Sequence, residues 1–265
     1  MATLAQSRLA SLVRAIRTRI RADDVSTHAA ALAYQLFLST LALSLVGLAL
    51  LGLAEDLLPF ELPEGTDEQF ANLTDASATL GVVSFVALLW TASALSRRAS
   101  RALAVIFRTG PERGVRGGVR AIMITLGFVV LVGALPVVTG IISAVRVSNG
   151  FEIPFRVLGF AATAAMEFGL FLLAYAVLTP GSIGWRSHLP GALLMTIGWE
   201  LFKLAGGLLL AYYVSRATVL YGTIGAVVGL LLFLRLTSGL FVFGAELSAV
   251  LRDRARPEKQ AHQAD

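Results

Sequence analysis

Six long apolar segments alternate with short polar segments along this 265-residue chain. A helix needs about 20 apolar residues to cross the hydrocarbon core of a bilayer, and each segment is long enough. The predicted spans, numbered one to six, cover residues 29–54, 77–96, 121–145, 154–178, 189–213 and 220–250. The pattern therefore predicts an all-α polytopic membrane protein with six transmembrane helices, whose two termini lie on the same side of the membrane.

A shorter periodic pattern precedes the first span. Apolar residues recur there at helical spacing, at Leu9, Leu12, Val13, Ile16 and Ile20. Most arginines of this segment fall off the apolar stripe, which predicts an amphipathic helix on the inner leaflet, where anionic headgroups attract them. We expect this cytoplasmic helix in residues 1–28, a six-helix membrane domain in 29–251 and a cytoplasmic tail in 252–265. Span one is too long for the apolar region of a signal peptide, so we expect the chain to keep its start.

Two smaller patterns concern how single spans end and pack. Arginines that share one helix face follow span two, which predicts an amphipathic extension that stops at Gly110-Pro111. In span six, Gly225 and Gly229 form a GxxxG pattern. Such a pattern permits close helix approach, and we favour packing within the bundle over dimerisation.

Composition and charge agree with the membrane class. Hydrophobic residues make up 56% of the chain, charged residues only 15%, and the mean hydropathy is +0.76. The net charge of +5 comes from basic residues that cluster beside the spans, so it indicates membrane topology and not nucleic-acid binding. The chain has no cysteine, and its three histidines lie outside the span centres. We therefore expect no disulfide, no metal site and no cofactor.

The basic residues also predict the orientation. Seventeen of them lie in the N-terminal segment, the loops after spans two and four and the C-terminal tail, against three on the other side. The loop after span one contains seven acidic residues and no basic one, so we expect it to face outward. The positive-inside rule then places both termini in the cytoplasm.

Four ionisable residues lie near the middles of the last three spans: Glu167, Glu200, Lys203 and Arg235. An unpaired charge at the bilayer centre costs roughly 2.5 to 17 kcal/mol, so each needs a partner. Glu200 and Lys203 are three residues apart on one helix face and can neutralise each other. Arg235 needs an acceptor from another helix, for which Glu167 lies at matching depth and Glu200 is the other choice.

These residues predict a buried polar layer formed by spans four to six, with two interpretations. It is either a structural network or a binding or translocation site, with Arg235 contacting an anionic group and the carboxylates acting as gates or proton acceptors. Glu246 lies about 16 Å along the helix from Arg235, near the cytoplasmic interface, where we expect a solvated or capping role. Tyr34, Gln35 and Glu246 are candidate gating or interface residues.

Five short strings in order along the chain resemble the YihY/BrkB family of bacterial inner-membrane proteins. They are Ala29–Tyr34, Leu89–Ser93, Trp185–Ala192, Tyr221–Ala226 and Gly244–Leu247. The chain departs from the family in span one, where Ala42 stands at a position that is commonly proline. The resemblance implies a six-helix plasma-membrane protein connected with envelope export, lipid handling or serum resistance. An old family label of tRNA-processing ribonuclease is opposed by the lack of a metal-ligand cluster in the sequence, and we expect no enzyme.

Two functions fit this pattern. The first is a transporter or translocator that moves an anionic lipid, a lipid-linked intermediate or another envelope component through the polar layer. The alternative is a non-transporting scaffold that docks envelope machinery on the basic N-terminal helix and the second cytoplasmic loop. The expected partners are membrane lipids and not nucleic acid. The sequence leaves open the oligomeric state, the substrate and the direction and energy source of transport.

Overall fold

The computed structural model describes residues 11, 14–55, 77–110, 152–214 and 219–262. Within these ranges the regular structure is entirely helical, as the apolar pattern predicts. The helices are α1 (14–22), α2 (Val25–Glu55), α3 (Ser77–Ile106), α4 (Glu152–Leu178), α5 (Leu189–Val214) and α6 (Val219–His262), with a short 3-10 helix at Trp185–His188. Predicted span three lies outside the described residues.

Three stretches are long and apolar enough to cross a membrane: Val25–Gly47, Val157–Leu178 and Gly225–Ala255. They coincide with predicted spans one, four and six. Large apolar side chains also cover the outside of the bundle, including Trp90, which is 73% exposed, and Leu158, which is 67% exposed. Such a surface fits hydrocarbon and not water, so the chain is a membrane protein. The count of six spans and the cytoplasmic placement of both termini stay predictions.

The most buried part of the bundle surrounds the C-terminal half of α6, and we call it the basal core. It comprises Val25, Ala29, Leu32, Ala99, Leu103, Ile106, Phe107, Tyr175, Ala192, Met195, Val242, Ala245 and Ala249. Alanines at the contacts of α6 let the neighbouring helices approach it closely. Helix α6 continues to His262, past the predicted span end at residue 250. It therefore passes through the basal core without a break.

Two glycines set the approach of α5 to α6 in the basal core. The N–H of Gly191 donates to Ser248 Oγ at 2.8 Å, and a methyl group there would overlap the Gly244 carbonyl. A methyl group on Gly244 would lie 2.6 Å from the hydroxyl oxygen of Tyr175. Both positions therefore require glycine. The predicted GxxxG contact is not formed within the described part of the chain, since a methyl at Gly225 or Gly229 meets nothing within 4 Å.

The amphipathic helix α1 packs on the bundle, and its place at the inner leaflet stays a prediction. Ile16 is only 8% exposed, and Ile20 packs against the basal core. Arg19 Nη2 lies 3.1 Å from Asp253 Oδ2, so an ion pair joins α1 to α6. The helix ends in a turn in which Asp24 has a φ of 45°. Leu9, Leu12 and Val13 of the predicted stripe lie outside the described residues.

The predicted extension of span two is present, because α3 continues to Ile106. It ends before Gly110 through a Schellman motif, with Arg108 in the left-handed region at φ 53°. The N–H of Arg108 donates to Val105 O at 3.1 Å, and the N–H of Thr109 donates to Ala104 O at 2.9 Å. These two bonds satisfy carbonyls of the last turn and fix the positions of Arg108 and Thr109.

We expect Gly244→Ala to lower the free energy of unfolding by about 1–3 kcal/mol, because the added methyl must displace the Tyr175 hydroxyl or the α5 backbone. Reversible denaturation of the purified protein in detergent measures this loss. Gly229→Ala is the matched control on the same helix and should change stability little. Equal stability of Gly244→Ala and the unaltered protein would contradict the close packing of α5 on α6.

Candidate functional site

Three of the four predicted intramembrane charges meet between α4 and α5. Lys203 Nζ donates to Glu167 Oε1 and to Glu200 Oε1, each at 2.8 Å. The predicted pair of Glu200 and Lys203 is therefore formed, and the partner of Glu167 is Lys203. We call Glu167, Glu200 and Lys203 the intramembrane triad.

The triad is closed on one side and open on the other. Glu167 is 6% exposed, whereas the Lys203 side chain is 40% exposed. Oε2 of Glu167 is buried and has no hydrogen-bond partner among the described residues. A carboxylate oxygen of this kind can accept a proton or a hydrogen bond from a bound hydroxyl or amine. The triad therefore combines an accessible cation with a buried, unoccupied acceptor.

Aromatic rings hold α5 between α4 and α6 beside the triad. Trp199, which precedes Glu200, meets Phe171 of α4 edge-on at 6.2 Å and Phe233 of α6 at 5.6 Å. Phe202, which precedes Lys203, meets the same Phe233 at 6.1 Å. Pairs of this geometry contribute about 0.5–1.5 kcal/mol each beyond the area that they bury. They fix the rotation of α5 and thereby the direction in which the triad faces.

Arg235 lies apart from the triad, so its predicted ion pair with Glu167 or Glu200 is wrong. Its Nη2 donates to the hydroxyl and the carbonyl of Ser26 at the start of α2, at 3.1 and 3.3 Å. The guanidinium passes close to Gly239, one turn further along α6. Long cationic side chains extend in this way from an apolar segment towards polar groups at a helix end. The polar layer is thus formed by α4 and α5, without α6.

Tyr34 and Gln35, the candidate gating residues of α2, have different surroundings. Gln35 is 4% exposed, and its Nε2 donates to Thr91 O of α3 at 2.9 Å. This bond joins α2 to α3 and gives Gln35 a structural contact. Tyr34 is 57% exposed and lies on the outer surface of the bundle.

Glu246 lies inside the basal core and is 0% exposed, so the expected solvated role is wrong. The charged groups that act on it are Asp23, Arg19 and Arg108, with the Asp23 carboxyl within hydrogen-bond reach. Neither oxygen of Glu246 accepts a hydrogen bond from a donor in the described part of the chain. Since ionised carboxylates only accept, a bond between these two carboxyls needs a proton on one of them.

His188, which sequence reasoning set aside, is also fully buried. Its ring lies edge-on to Phe107 at 4.9 Å and parallel to Tyr175 at 6.4 Å. The Tyr175 hydroxyl donates to Phe241 O at 2.7 Å. His188 precedes the predicted fifth span, and burial, aided by the charge of Arg252, lowers its pKa to about 4. No helical periodicity marks a histidine in a loop as buried, so only the tertiary structure reveals this position.

The neutral His188 makes the fold sensitive to acid. An unfolded histidine takes up its proton below about pH 6.5, whereas the folded one resists protonation down to about pH 4, so stability falls as the pH drops between these values. We expect this group to remove about 2 kcal/mol between about pH 7.5 and pH 5. His188→Phe should therefore lose less stability over this interval than the unaltered protein, measured by denaturation at both pH values. Identical losses in the two proteins would contradict a neutral, buried His188.

Most of the chain is similar to a known protein family. The family model described as Virulence factor BrkB matches residues 16–265. A search of the curated proteins found no significant match, and neither did a search of the solved structures. The match covers nearly the whole chain, including all three apolar spans and the triad. The chain therefore belongs to the Virulence factor BrkB family.

Proposed function

We propose that this protein is a translocator of the bacterial plasma membrane, with both termini in the cytoplasm, and that the intramembrane triad is its substrate site. The observation that carries the proposal is the accessible Lys203 held by two carboxylates, one of which keeps a buried oxygen without a partner among the described residues. A purely structural ion pair needs neither the exposed cation nor the additional acceptor.

Lys203 takes the anion-binding role that the sequence suggested for Arg235. Because its side chain is 40% exposed, an anionic headgroup can approach Nζ from the open side. The best-supported substrate class is an anionic lipid, a lipid-linked intermediate or another anionic envelope component. An anion on Lys203 competes with Glu167 and Glu200 for the same ammonium group.

When a bound anion displaces a carboxylate from Lys203, transport of the anion becomes coupled to proton uptake. Glu167 is the less exposed of the two acids, so losing Lys203 leaves its charge without compensation inside the bundle. Such a charge has to be neutralised by a proton or a second donor. In this mechanism Glu167 takes up a proton when the anion binds and releases it when Lys203 returns.

The scaffold function keeps one supporting observation. Because an ion pair fastens α1 to α6, the exposed side chains of Arg14, Arg17 and Arg21 form a fixed basic surface. A fixed surface can dock an acidic partner without any transport. This alternative assigns no role to the triad beyond stability, and flux measurements separate the two functions.

We expect Lys203→Met to reduce the flux of fluorescent anionic lipid in proteoliposomes by about tenfold or more. The reason is the loss of a charge-assisted contact, worth about 1.5–3 kcal/mol. Glu167→Gln should keep substrate binding but weaken the dependence of flux on an imposed pH gradient. All variants are compared after they elute as single species of equal thermal stability.

Thr163→Ala is the matched control, because among the described residues its hydroxyl donates only to Gly159 O of its own helix, one turn before Glu167. It should leave flux unchanged, and Arg235→Met should affect flux less than Lys203→Met. Absence of flux in the unaltered protein across anionic and zwitterionic lipids would overturn the proposal and favour the scaffold. Equal flux in folded Lys203→Met would also overturn it.

A further inference from the structure

A polar cavity lies away from the triad, where α3 ends beside α6. Its volume is about 440 Å³, and it is bounded by the end of α3, the loop between α4 and the 3-10 helix, and α6. The lining residues are Phe107, Arg108, Thr109, Ser182, Ile183, Arg252 and Asp253. The proposed translocation through the triad uses none of them.

Guanidinium groups dominate the charge of this cavity. Arg108 is exposed, and Arg252 is held in place by Phe107 O at 3.2 Å and by Asp253 Oδ1 at 3.1 Å. Among the described lining residues the one acidic group is Asp253, which also pairs with Arg19 at 3.1 Å. Two arginines therefore offset this carboxylate, and Arg108 adds a further positive charge at the cavity wall.

One hydroxyl residue of the cavity, Thr109, has a fixed backbone. Thr109 Oγ1 is buried and has no partner among the residues that the structure describes. The Schellman motif fixes its backbone, and a methyl group built on Gly181 would lie 3.4 Å from the Thr109 methyl carbon. Ser182 follows Gly181 and lines the same cavity. The backbone of Thr109 is thus held in position before any ligand arrives.

We propose that this cavity binds a phosphate-bearing anion. Planar guanidinium groups and hydroxyl donors match the oxygens of a phosphate ester, and arginine is preferred where such groups are bound. The arginine-rich side of the bundle faces the cytoplasmic leaflet in the predicted topology, where basic pockets between helices bind anionic headgroups. The ligand is either a lipid headgroup or a free phosphate compound, since both present the same chemistry.

The test is calorimetric titration of the full-length protein in detergent with two phosphate probes, inorganic phosphate and dioctanoyl phosphatidic acid. Dioctanoyl glycerol, which lacks the phosphate, is the matched probe. We expect saturable binding of phosphatidic acid and none of dioctanoyl glycerol. If inorganic phosphate binds and competes, a free anion suffices as ligand; if only the lipid binds, the site recognises a headgroup.

Arg108→Asn removes the guanidinium but keeps a residue that tolerates the left-handed backbone, and it should weaken binding about tenfold. Thr109→Val removes only the hydroxyl and should weaken binding severalfold, which keeps the proposal testable if Arg108→Asn does not fold. Arg97→Gln is the control, since it removes an equal charge from exposed α3 surface outside the cavity. Lack of saturable phosphate binding, or unchanged affinity in a folded cavity variant, overturns the proposal. Because the triad is also proposed to bind an anionic lipid, the loss of affinity in the two cavity variants, compared with unchanged affinity in Lys203→Met, assigns the binding to this cavity.

Discussion

The close contact between α5 and α6 at Gly191 and Gly244 is the constraint on which the rest of the structure depends. With no side chain on either glycine, the helix backbones approach closely enough for Gly191 N–H to reach Ser248 Oγ and for Tyr175 to reach Phe241 O. These bonds join α4, α5 and α6 into one unit. Further along α5, the same unit sets the register that brings Lys203 opposite Glu167. A looser contact in the basal core would therefore be transmitted to the triad.

Pairing of charge explains why the triad includes Lys203 and not Arg235. A lysine one turn from Glu200 already lies on the right helix face, so only Glu167 has to be positioned by tertiary packing. Arg235 can reach polar groups at the start of α2, and this contact gives its Nη2 two acceptors without burying a second ion pair. The arrangement avoids the desolvation of an additional ion pair, which costs several kcal/mol per ion.

The apolar pattern was sufficient to predict the helical class and the three spans in α2, α4 and α6, and the three-residue spacing of opposite charges was sufficient to predict the pair of Glu200 with Lys203, since each depends on one segment. The contacts of Arg235, Glu246 and His188 were not predictable in this way. Each depends on which distant helix is adjacent: Ser26 contacts Arg235 and Asp23 faces Glu246, both from more than 200 positions away. Depth along a span, which suggested Glu167 as the partner of Arg235, does not tell which face of α6 meets α4.

The use of lysine in the triad and of arginine in the cavity near α3 suits the two different tasks that we propose for them. Lysine presents a compact charge on a flexible stem, so its partners can be exchanged without strict geometry, as translocation requires. Arginine presents a planar fork that holds a phosphate in a defined orientation, as a stable binding site requires. Lys203 is exposed and shared between two carboxylates, whereas Arg252 is fixed by a carbonyl, a carboxylate and the ring of Phe107. The two proposed sites therefore differ in how firmly the cationic group is held, and a firmly held group favours persistent over transient binding.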